Sequence, residues 1–449
     1  MRLYMRIIAP LLLLLTAFAS CSGRNGGPAS PDPLLYCATV KKLNDVVLYN
    51  SFPPMIAARN YAYANIAAYE CIAAGDSRFR SLAGQIRHLP ALPRPEGPVH
   101  YPLAALLSFV KVGNSVTFPE GVLMDYYGEL LDRARNEGVA QSTIDRTVTW
   151  SDSVVAAIMR WSKKDNYAQT RTGAKFTISA REGRWTPTPP AYTQGLEPSW
   201  GAIRPLVLDS AGQFTPPPPP PFDLKDTAST FYRQVREVRD AVAQLTPEQR
   251  HMADFFDDNP FKLEVAGHVM YSKKKFSPAG HWMNIVGIAA EKSGADFNTT
   301  VAAYTATSIA LFDGFIACWK SKYEYASIRP ETVINKVLDA EWRPYIQTPP
   351  FPSYISGHSV ISAASAETMT HFFGDGLPFT DTSLTEFGIR ARSFASFRAA
   401  AQEASWSRLY GGIHFRADLE EGNKVGTRIG TYILGRIRFR NEAAASPRP

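Results

Sequence analysis

Apolar residues recur at helical spacing along most of this 449-residue chain, and the strict alternation of half-buried strands is sparse. Proline, capping and glycine signals mark the helix ends. These signals predict helices over residues 54–74, 122–135, 142–161, 279–292, 299–327, 359–373, 383–404 and 422–438, and a further helix start at 246–248. Capping boxes are predicted at Ser142 with Asp145 and at Ser383 with Glu386. Since no repeat of about 20–50 residues is visible, we predict an all-α fold, a helical bundle with long irregular loops.

The first twenty residues differ from the rest of the chain. Two arginines precede an apolar run from Ile7 to Phe18, and small residues then lead to Cys21, the pattern of a secretory signal over residues 1–20. The ending resembles a bacterial lipobox, which implies lipidation of Cys21; ordinary cleavage near Ala19 is the alternative. Residues 21–34 are rich in Gly, Pro and Ser and predict a flexible tether. We expect an exported protein, periplasmic or on the outer surface, anchored at Cys21.

The remaining chain contains a long segment without helical spacing. Residues 165–222 are rich in Thr, Pro and Gly and include an unbroken proline run over 216–221. The segment could link two domains, but we favour a loop wrapped over one helical body, because loops of this length are often functional lids. We accordingly predict an N-terminal helical region over residues 35–222, a helical core over 223–440 and a disordered tail over 441–449.

Composition and charge exclude several classes of protein. Only three cysteines follow Cys21, which excludes a disulfide-stapled scaffold and a cysteine metal site. A Cys37–Cys71 bridge and two free thiols both remain open. The formal charge of +7 is dispersed, so we expect no nucleic-acid partner, although this charge favours an anionic ligand. The most apolar later stretch, residues 301–319, contains Asp313, so we expect membrane contact only through a lipid anchor.

Three short segments carry the candidate chemistry, and the first reads K-Y-E-Y-A-S-I-R-P from Lys322 to Pro330. Seven residues are close to two helical turns, so Lys322 and Arg329 are predicted to project from one helix face, and Pro330 to end the helix at about Arg329. Two cations would then point at one place. A solvated basic face is the alternative for such a pair taken alone.

The second segment reads F-P-S-Y-I-S-G-H from Phe351 to His358 and breaks into a predicted helix. The Ser356 hydroxyl, free backbone amides and the positive end of a helix dipole suit an oxyanion, and Gly357 lets the backbone approach closely. Ser356 could equally be an ordinary N-cap.

The third segment reads S-R-L-Y-G-G-I-H-F-R-A-D from Ser407 to Asp418. Its glycine pair ends the helix that carries Arg408, and His414 and Asp418 then stand on one face of a following turn. A carboxylate there can take the Nδ1 proton of His414 and leave Nε2 free as a nucleophile or ligand. A helix-stabilising His–Asp pair is the alternative.

Together and in this order, the three segments resemble the signature shared by type 2 phosphatidic acid phosphatases and vanadium-dependent haloperoxidases. That signature has the form K-x6-R-P, then S-G-H usually preceded by Pro, then S-R-x5-H-x3-D. Every functional position is filled over the about 100 residues from Trp319 to Asp418, and Ile355 stands where Pro is usual. The resemblance implies a pocket for a tetrahedral oxyanion, phosphate or vanadate. Lys322, Arg329 and Arg408 would neutralise its equatorial oxygens, with the Ser356 hydroxyl and the Gly357 amide as further donors.

The resemblance also assigns the reactive groups. His414 would bond to vanadium or phosphorus through Nε2, and Asp418 would hold its tautomer. In a haloperoxidase, His358 would assist the deprotonation of hydrogen peroxide and Lys322 would polarise the bound peroxide, so that a halide is oxidised to hypohalous acid. In a soluble acid phosphatase, His414 would form a phosphohistidine while His358 protonates the leaving alcohol.

The residues around the signature favour the haloperoxidase. The stretches W-K-S-K from Trp319 and F-P-S-Y from Phe351 resemble chloroperoxidase-type enzymes, in which an aromatic pair lines the halide side of the pocket. Phe351 stands where many algal bromoperoxidases have a second His. We therefore predict vanadate as cofactor and peroxide and halide as substrates; the alternatives are a phosphatase that hydrolyses phosphoesters and a non-catalytic phosphate-binding lipoprotein. His281 could supply a pocket wall or be structural, and the halide and the oligomeric state stay open.

Overall fold

The computed structural model describes residues 31–118, 121–260, 262–266, 269–272 and 275–441. These residues belong to one compact unit. The predicted signal peptide, the lipidation site Cys21, most of the predicted tether and the predicted tail from residue 442 lie outside the described residues. The first helix starts at Pro33, so the last two positions predicted as tether are helical.

Helices dominate the described residues, which confirms the all-α prediction. The α-helices are α1 (Pro33–Tyr49), α2 (Pro54–Gly75), α3 (Tyr101–Val116), α4 (Val122–Asn136), α5 (Gln141–Ser162), α6 (Tyr167–Arg171), α7 (Thr230–Ala243), α8 (Pro247–Phe255), α9 (Pro278–Ser293), α10 (Phe297–Tyr325), α11 (Pro330–Val337), α12 (Gly357–Phe373), α13 (Phe397–Tyr410) and α14 (Arg416–Arg436). Two antiparallel strand pairs accompany them in the described part of the chain: β1 (Leu263–Ala266) with β2 (Val269–Ser272), and β3 (Phe379–Asp381) with β4 (Arg392–Phe394).

The helix predicted over residues 383–404 is wrong in its first half. Strand β4 lies there, paired with β3 just before this range, and α13 starts only at Phe397. The Ser383 amide donates to the carboxylate of Asp381 (2.9 Å), and Gly388 takes a φ of 75°. Local turn contacts therefore replace the predicted helix start.

Of three other predicted helix starts, one is confirmed and two are wrong. Thr246 and Gln249 form a capping box at the start of α8, which confirms the start expected at 246–248. The capping box predicted at Ser142 is wrong, because α5 starts at Gln141 without a side-chain cap. Helix α14 also starts before its predicted position, at Arg416.

The long helix α10 packs against α2, α9, α12 and α14. Among the described helices, α10 alone is long and apolar enough to cross a membrane by length and composition, yet its apolar window is entirely buried within the fold. The charged Asp313 in its middle accepts hydrogen bonds from the amides of Leu206, Val207 and Leu208 (2.7–3.0 Å). Burial raises the pKa of Asp313 to about 6, and the three amide hydrogen bonds, which lower it, fasten the loop to α10.

The same long loop, residues 165–222, braces the chain that precedes α12. The Leu196 amide donates to the carbonyl of Pro350 (2.9 Å). At the other end of the loop, the Tyr354 hydroxyl donates to the carbonyl of Pro217 in the proline run (2.6 Å). The loop therefore packs against the segment that carries the Ser-Gly-His motif.

Helix α14 lies close against α12 because three of its glycines face that helix. A Cβ at Gly426 would lie 2.2 Å from the carbonyl oxygen of Val360, and one at Gly430 would lie 2.8 Å from that of Ala364. A Cβ at Gly422 would also meet α12, so no larger side chain fits at these positions. This close approach places the start of α14 beside the start of α12.

Cys37 and Cys71 are free thiols, which decides between the two alternatives left by the sequence. Burial raises the pKa of Cys37 to about 11 and that of Cys71 to about 12. Both thiols are therefore protonated at neutral pH and have little reactivity.

Candidate active site

Lys322 and Arg329 come from different structural elements. Helix α10 ends at Tyr325 because Ala326 takes a left-handed conformation (φ 44°), and Arg329 is the extended residue before α11. The prediction that both cations project from one helix face is therefore wrong. Both residues are nevertheless fully buried, at 0% exposure each.

The loop over residues 351–353 brings these two cations together. Nζ of Lys322 donates to the carbonyl oxygens of Pro352 and Ser353 (2.9 Å each), and Nε of Arg329 donates to that of Phe351 (2.8 Å). Neutral carbonyl oxygens therefore hold both side chains in place without adding a negative charge beside them.

Ser356, Gly357 and His358 lie at the start of α12. Ser356 is the N-cap of α12, and its hydroxyl accepts from the Ser359 amide (3.3 Å). This is the ordinary capping role that the sequence offered as the alternative. Its own amide donates to the carbonyl of Asp418 (3.0 Å), which joins the starts of α12 and α14. Gly357 and His358 line the adjacent cavity in the first turn, where the amides of a helix start attract an anion.

His414 and Asp418 meet at the start of α14. Nδ1 of His414 lies 2.8 Å from Oδ2 of Asp418, an oxygen that also accepts from the Phe415 amide (3.2 Å) and the Ser353 hydroxyl. Because a carboxylate only accepts, Nδ1 carries the proton and Nε2 keeps its lone pair. Nε2 lies 3.2 Å from Nη1 of Arg329, so the basic nitrogen faces the buried cations.

A cavity of about 50 Å³ adjoins these side chains, and His414 lines it directly. The volume is several times the roughly 10–15 Å³ that one water molecule needs, so a small oxyanion fits. The polar lining includes His358, Arg408 and His414, and the apolar lining includes Phe315, Trp319 and Phe351. The rings of Trp319 and Phe351 lie 4.9 Å apart, and Nζ of Lys322 is 5.1 Å from the centre of the Phe351 ring. The aromatic pair therefore lies beside the cation set, of which Arg408 lines the cavity itself.

Three basic side chains converge beside this cavity, which Asp257 and Asp258 also line. Burial lowers the pKa of Lys322 to about 7, that of Arg329 to about 9 and that of Arg408 to about 10. Burial and the three neighbouring cations also lower the pKa of His414 well below its usual range, so its ring is neutral. An anion in the cavity would compensate these charges and reverse the shifts.

Two buried nitrogens at the cavity have no hydrogen-bond partner, Nη2 of Arg329 and Nε2 of His358. A buried polar atom without a partner costs about 1–3 kcal/mol, so Nη2 of Arg329 fits a ligand that offers acceptor oxygens, whereas Nε2 of His358 has the carboxylate of Asp258 nearby, at 3.6 Å. The described residues contain no group of three or more His, Cys, Asp or Glu side chains that could hold a metal cation. The residues present therefore fit an oxyanion such as vanadate or phosphate, bound by cations and by Nε2 of His414.

The lowered pKa of Lys322 predicts proton uptake when an anion binds. The pKa is about 7 in place of 10.5, so between these values Lys322 of the ligand-free protein is largely neutral, and a bound anion restores its charge. We expect phosphate binding in this pH range to take up about one more proton in the wild type than in Lys322→Met. Calorimetry in buffers of different ionisation enthalpy measures the uptake, and equal uptake in the two proteins would contradict this electrostatic account.

Sequence reasoning missed Ser353 and Asp258. Ser353 supplies both a carbonyl to Lys322 and a hydroxyl to Asp418, and Oδ2 of Asp258 lies 3.6 Å from Nε2 of His358. Ser353 lies within the F-P-S-Y stretch, so its closeness to the motif was the available signal. Asp258 lies far from every motif residue in the sequence, and no spacing pattern pointed to it.

Comparisons with known proteins identify relatives of the whole chain and of its C-terminal part. The family model described as the VCPO second helical-bundle domain matches residues 302–441. Among solved structures, the chain is similar to the first bacterial vanadium-dependent iodoperoxidase, with 41% identity, a TM-score of 0.86 and coverage of 91% of this chain and 98% of that one. No match was found among curated proteins.

The fold is also shared with a bacterial vanadium-dependent chloroperoxidase. Its holo and apo structures each give a TM-score of 0.63 at 16% identity over 86% of this chain, and cover 92% and 94% of their own chains. At this identity the likeness shows the fold alone, whereas the iodoperoxidase match shows the family.

Proposed function

The chain belongs to the vanadium-dependent haloperoxidases, with vanadate as cofactor, and we propose that the halide it oxidises is iodide. Bound vanadate supplies a Lewis acid that activates peroxide toward the halide. The overall reaction consumes one halide ion, one hydrogen peroxide and one proton, and yields hypohalous acid and water. The observation that supports an anionic cofactor is geometric: Arg329 lies against Nε2 of His414 at the cavity, and its Nη2 is buried without a hydrogen-bond partner.

We assign the cations to charge compensation. Lys322, Arg329 and Arg408 hold negative charge in a buried cavity, where electrostatic interactions are stronger than in water. The Ser356 hydroxyl and the amide of Gly357 add neutral donors at the start of α12. Because these groups are fixed by backbone contacts before the ligand arrives, little reorganisation is needed during the reaction.

We assign the reactive nitrogens to the two histidines. His414 presents the lone pair of Nε2 as the cofactor ligand, and Asp418 fixes this tautomer through Nδ1. Burial and the charge of Arg408 lower the pKa of His358 to about 4. His358 is therefore neutral at neutral pH and can accept the proton that hydrogen peroxide must lose.

The proposal of iodide rests on the whole-chain likeness to the iodoperoxidase and on the apolar part of the cavity. Phe315, Trp319 and Phe351 offer rings with few polar groups to bind a halide. Iodide is the largest and least strongly hydrated of the common halides and the easiest to oxidise. An aromatic wall therefore removes water from iodide at a lower cost than from bromide or chloride.

We expect kcat/KM for iodide to exceed that for bromide by at least ~10-fold, or about 1.4 kcal/mol, with chloride oxidation weaker still. The measurement is steady-state oxidation of each halide by vanadate-loaded protein at saturating peroxide. Chloride oxidation as efficient as iodide oxidation would contradict the proposed specificity.

Two matched substitutions of aromatic residues test whether the preference for iodide depends on the rings that line the cavity. Phe351→Leu removes a ring from the cavity and should raise KM for iodide while leaving KM for peroxide unchanged. Phe372→Leu removes a buried ring that contacts Phe439 and does not line the cavity, so it should change neither constant.

A further inference from the structure

A chain of buried side chains outside the cation set leads to His358. Nε2 of His281 lies 2.8 Å from Oδ2 of Asp381, and Nδ1 of His281 lies 3.0 and 3.1 Å from the two carboxylate oxygens of Asp258. Oδ2 of Asp258 in turn lies 3.6 Å from Nε2 of His358. Asp258, His281 and Asp381 are at most 4% exposed, so water does not compete for these contacts.

The contacts of His281 define its charge and its orientation. A neutral imidazole has one N–H, but both ring nitrogens of His281 face carboxylates, so the ring donates at both positions as an imidazolium. Burial lowers the pKa of His281, and the charges of Asp258 and Asp381 overcome this effect and raise it to about 10. The rings of Phe255 and Phe256 lie 5.4 and 5.6 Å from His281 and restrict its rotation.

Three separate elements thereby fix one carboxylate. Asp258 follows α8, His281 lies in the first turn of α9, and Asp381 ends β3. Asp381 is itself held by the Ser383 amide through Oδ1 (2.9 Å). Since one imidazolium engages both oxygens of Asp258, the plane of that carboxylate cannot turn freely.

We propose that His281 is a positioning residue for the peroxide step: it clamps Asp258 so that Oδ2 faces Nε2 of His358. A proton on Nε2 then points at Asp258, and the lone pair of His358 lies on Nδ1. The proton of peroxide passes to Nδ1 and no other bond changes in this step. The contact of 3.6 Å is longer than a hydrogen bond, and catalytic hydrogen bonds often shorten when ligands bind.

This inference rests on the proposed role of His358 as the base of a haloperoxidase. We expect His281→Gln, which can donate to only one of the two carboxylates, to lower kcat/KM for peroxide by about 10-fold, the size typical of a lost supporting contact. KM for iodide and the dissociation constant for phosphate should stay at the wild-type values. Steady-state kinetics per folded molecule and phosphate calorimetry measure these quantities.

A matched pair at Asp381 tests the same point without touching the cavity. Asp381→Asn keeps an acceptor for Nε2 of His281 and should retain near wild-type peroxide kinetics. Asp381→Leu places a branched side chain there without an acceptor, and should reproduce the loss expected for His281→Gln. Because the Asn variant keeps one acceptor, which can face His281 while the contact with the Ser383 amide is lost, the pair remains informative if His281→Gln does not fold.

A second control separates positioning from general destabilisation. Asp165→Asn weakens a buried ion pair with Arg59 that does not line the cavity, and should lower the melting temperature without changing KM for peroxide. Unchanged peroxide kinetics in both His281→Gln and Asp381→Leu would overturn the inference, as would a parallel loss of phosphate binding. Absence of peroxide-dependent activity in the wild type would instead refute the proposed function.

Discussion

Replacing His414 with Ala should reduce vanadate-dependent iodide oxidation by about 10³-fold or more. Nε2 of His414 is an unprotonated nitrogen whose lone pair faces Nη1 of Arg329 (3.2 Å), and its tautomer is fixed by Asp418. Even one lost neutral donor at such a site costs about 10²–10³ in rate, and His414 is the ligand itself. The measurement is kcat/KM for peroxide across a vanadate titration.

The vanadate titration shows whether the substitution lowers the affinity for vanadate, the maximal rate or both. His414→Ala should lose vanadate affinity as well as turnover, since the three cations alone hold only the charge of the anion. His371→Ala changes an exposed histidine in the last turn of α12 and serves as the control, with kinetics equal to the wild type. Full activity of His414→Ala at saturating vanadate would show that another group binds the cofactor.

Replacing His358 with Ala should separate cofactor binding from turnover. His358 lies beside the cation set without a hydrogen bond at Nε2, and its low pKa keeps it neutral as a base. Loss of a general base costs about 10²–10⁴ in rate. We expect kcat/KM for peroxide to fall within this range while vanadate affinity is largely retained, measured by steady-state kinetics and by calorimetry with vanadate.

Added imidazole tests whether the missing group is a base. The cavity left by the side chain in His358→Ala can admit imidazole, which should restore part of the peroxide-dependent rate. The same addition should leave His414→Ala inactive, because that variant lacks the cofactor. A His358→Ala protein with wild-type kinetics would remove His358 from the reaction.

The sequence alone located most of the candidate site, for a physical reason. An oxyanion pocket needs cations, free amides and a basic nitrogen, and here they lie in three short segments between Lys322 and Asp418. The spacing of His414 and Asp418 predicted their contact, which the structure places at 2.8 Å. Local spacing predicts such pairs well because four residues span about one helical turn.

The sequence could not locate the groups that reach the site from elsewhere. Asp258 and His281 come from elements that precede the first signature segment, and only the packing of α8 and α9 brings them to His358. Arg329 shows a different limit, because a left-handed residue at Ala326 moved it out of the predicted helix. Its contacts with the loop over residues 351–353 still bring it to the predicted place.

The predicted start of a helix at residue 383 is wrong because the polar residues that mark the start of a helix also occur in turns. The sequence at Ser383 matches a helix cap. In the structure, however, its amide donates to Asp381, whose other carboxylate oxygen contacts His281. A long-range contact therefore competes with the local helix signal at this point. Propensity is a weak guide where a buried polar group imposes the backbone conformation.

The most direct test of a vanadate-dependent oxidation site is a titration of vanadate-free protein with orthovanadate. Peroxide-dependent iodide oxidation and the hydrolysis of p-nitrophenyl phosphate are measured at each point. We predict no iodide oxidation without vanadate, a saturable rise as vanadate binds, and inhibition of this rise by competing phosphate. Failure of vanadate to produce iodide oxidation, together with robust hydrolysis in its absence, would contradict the haloperoxidase assignment and identify the cavity as a phosphatase site.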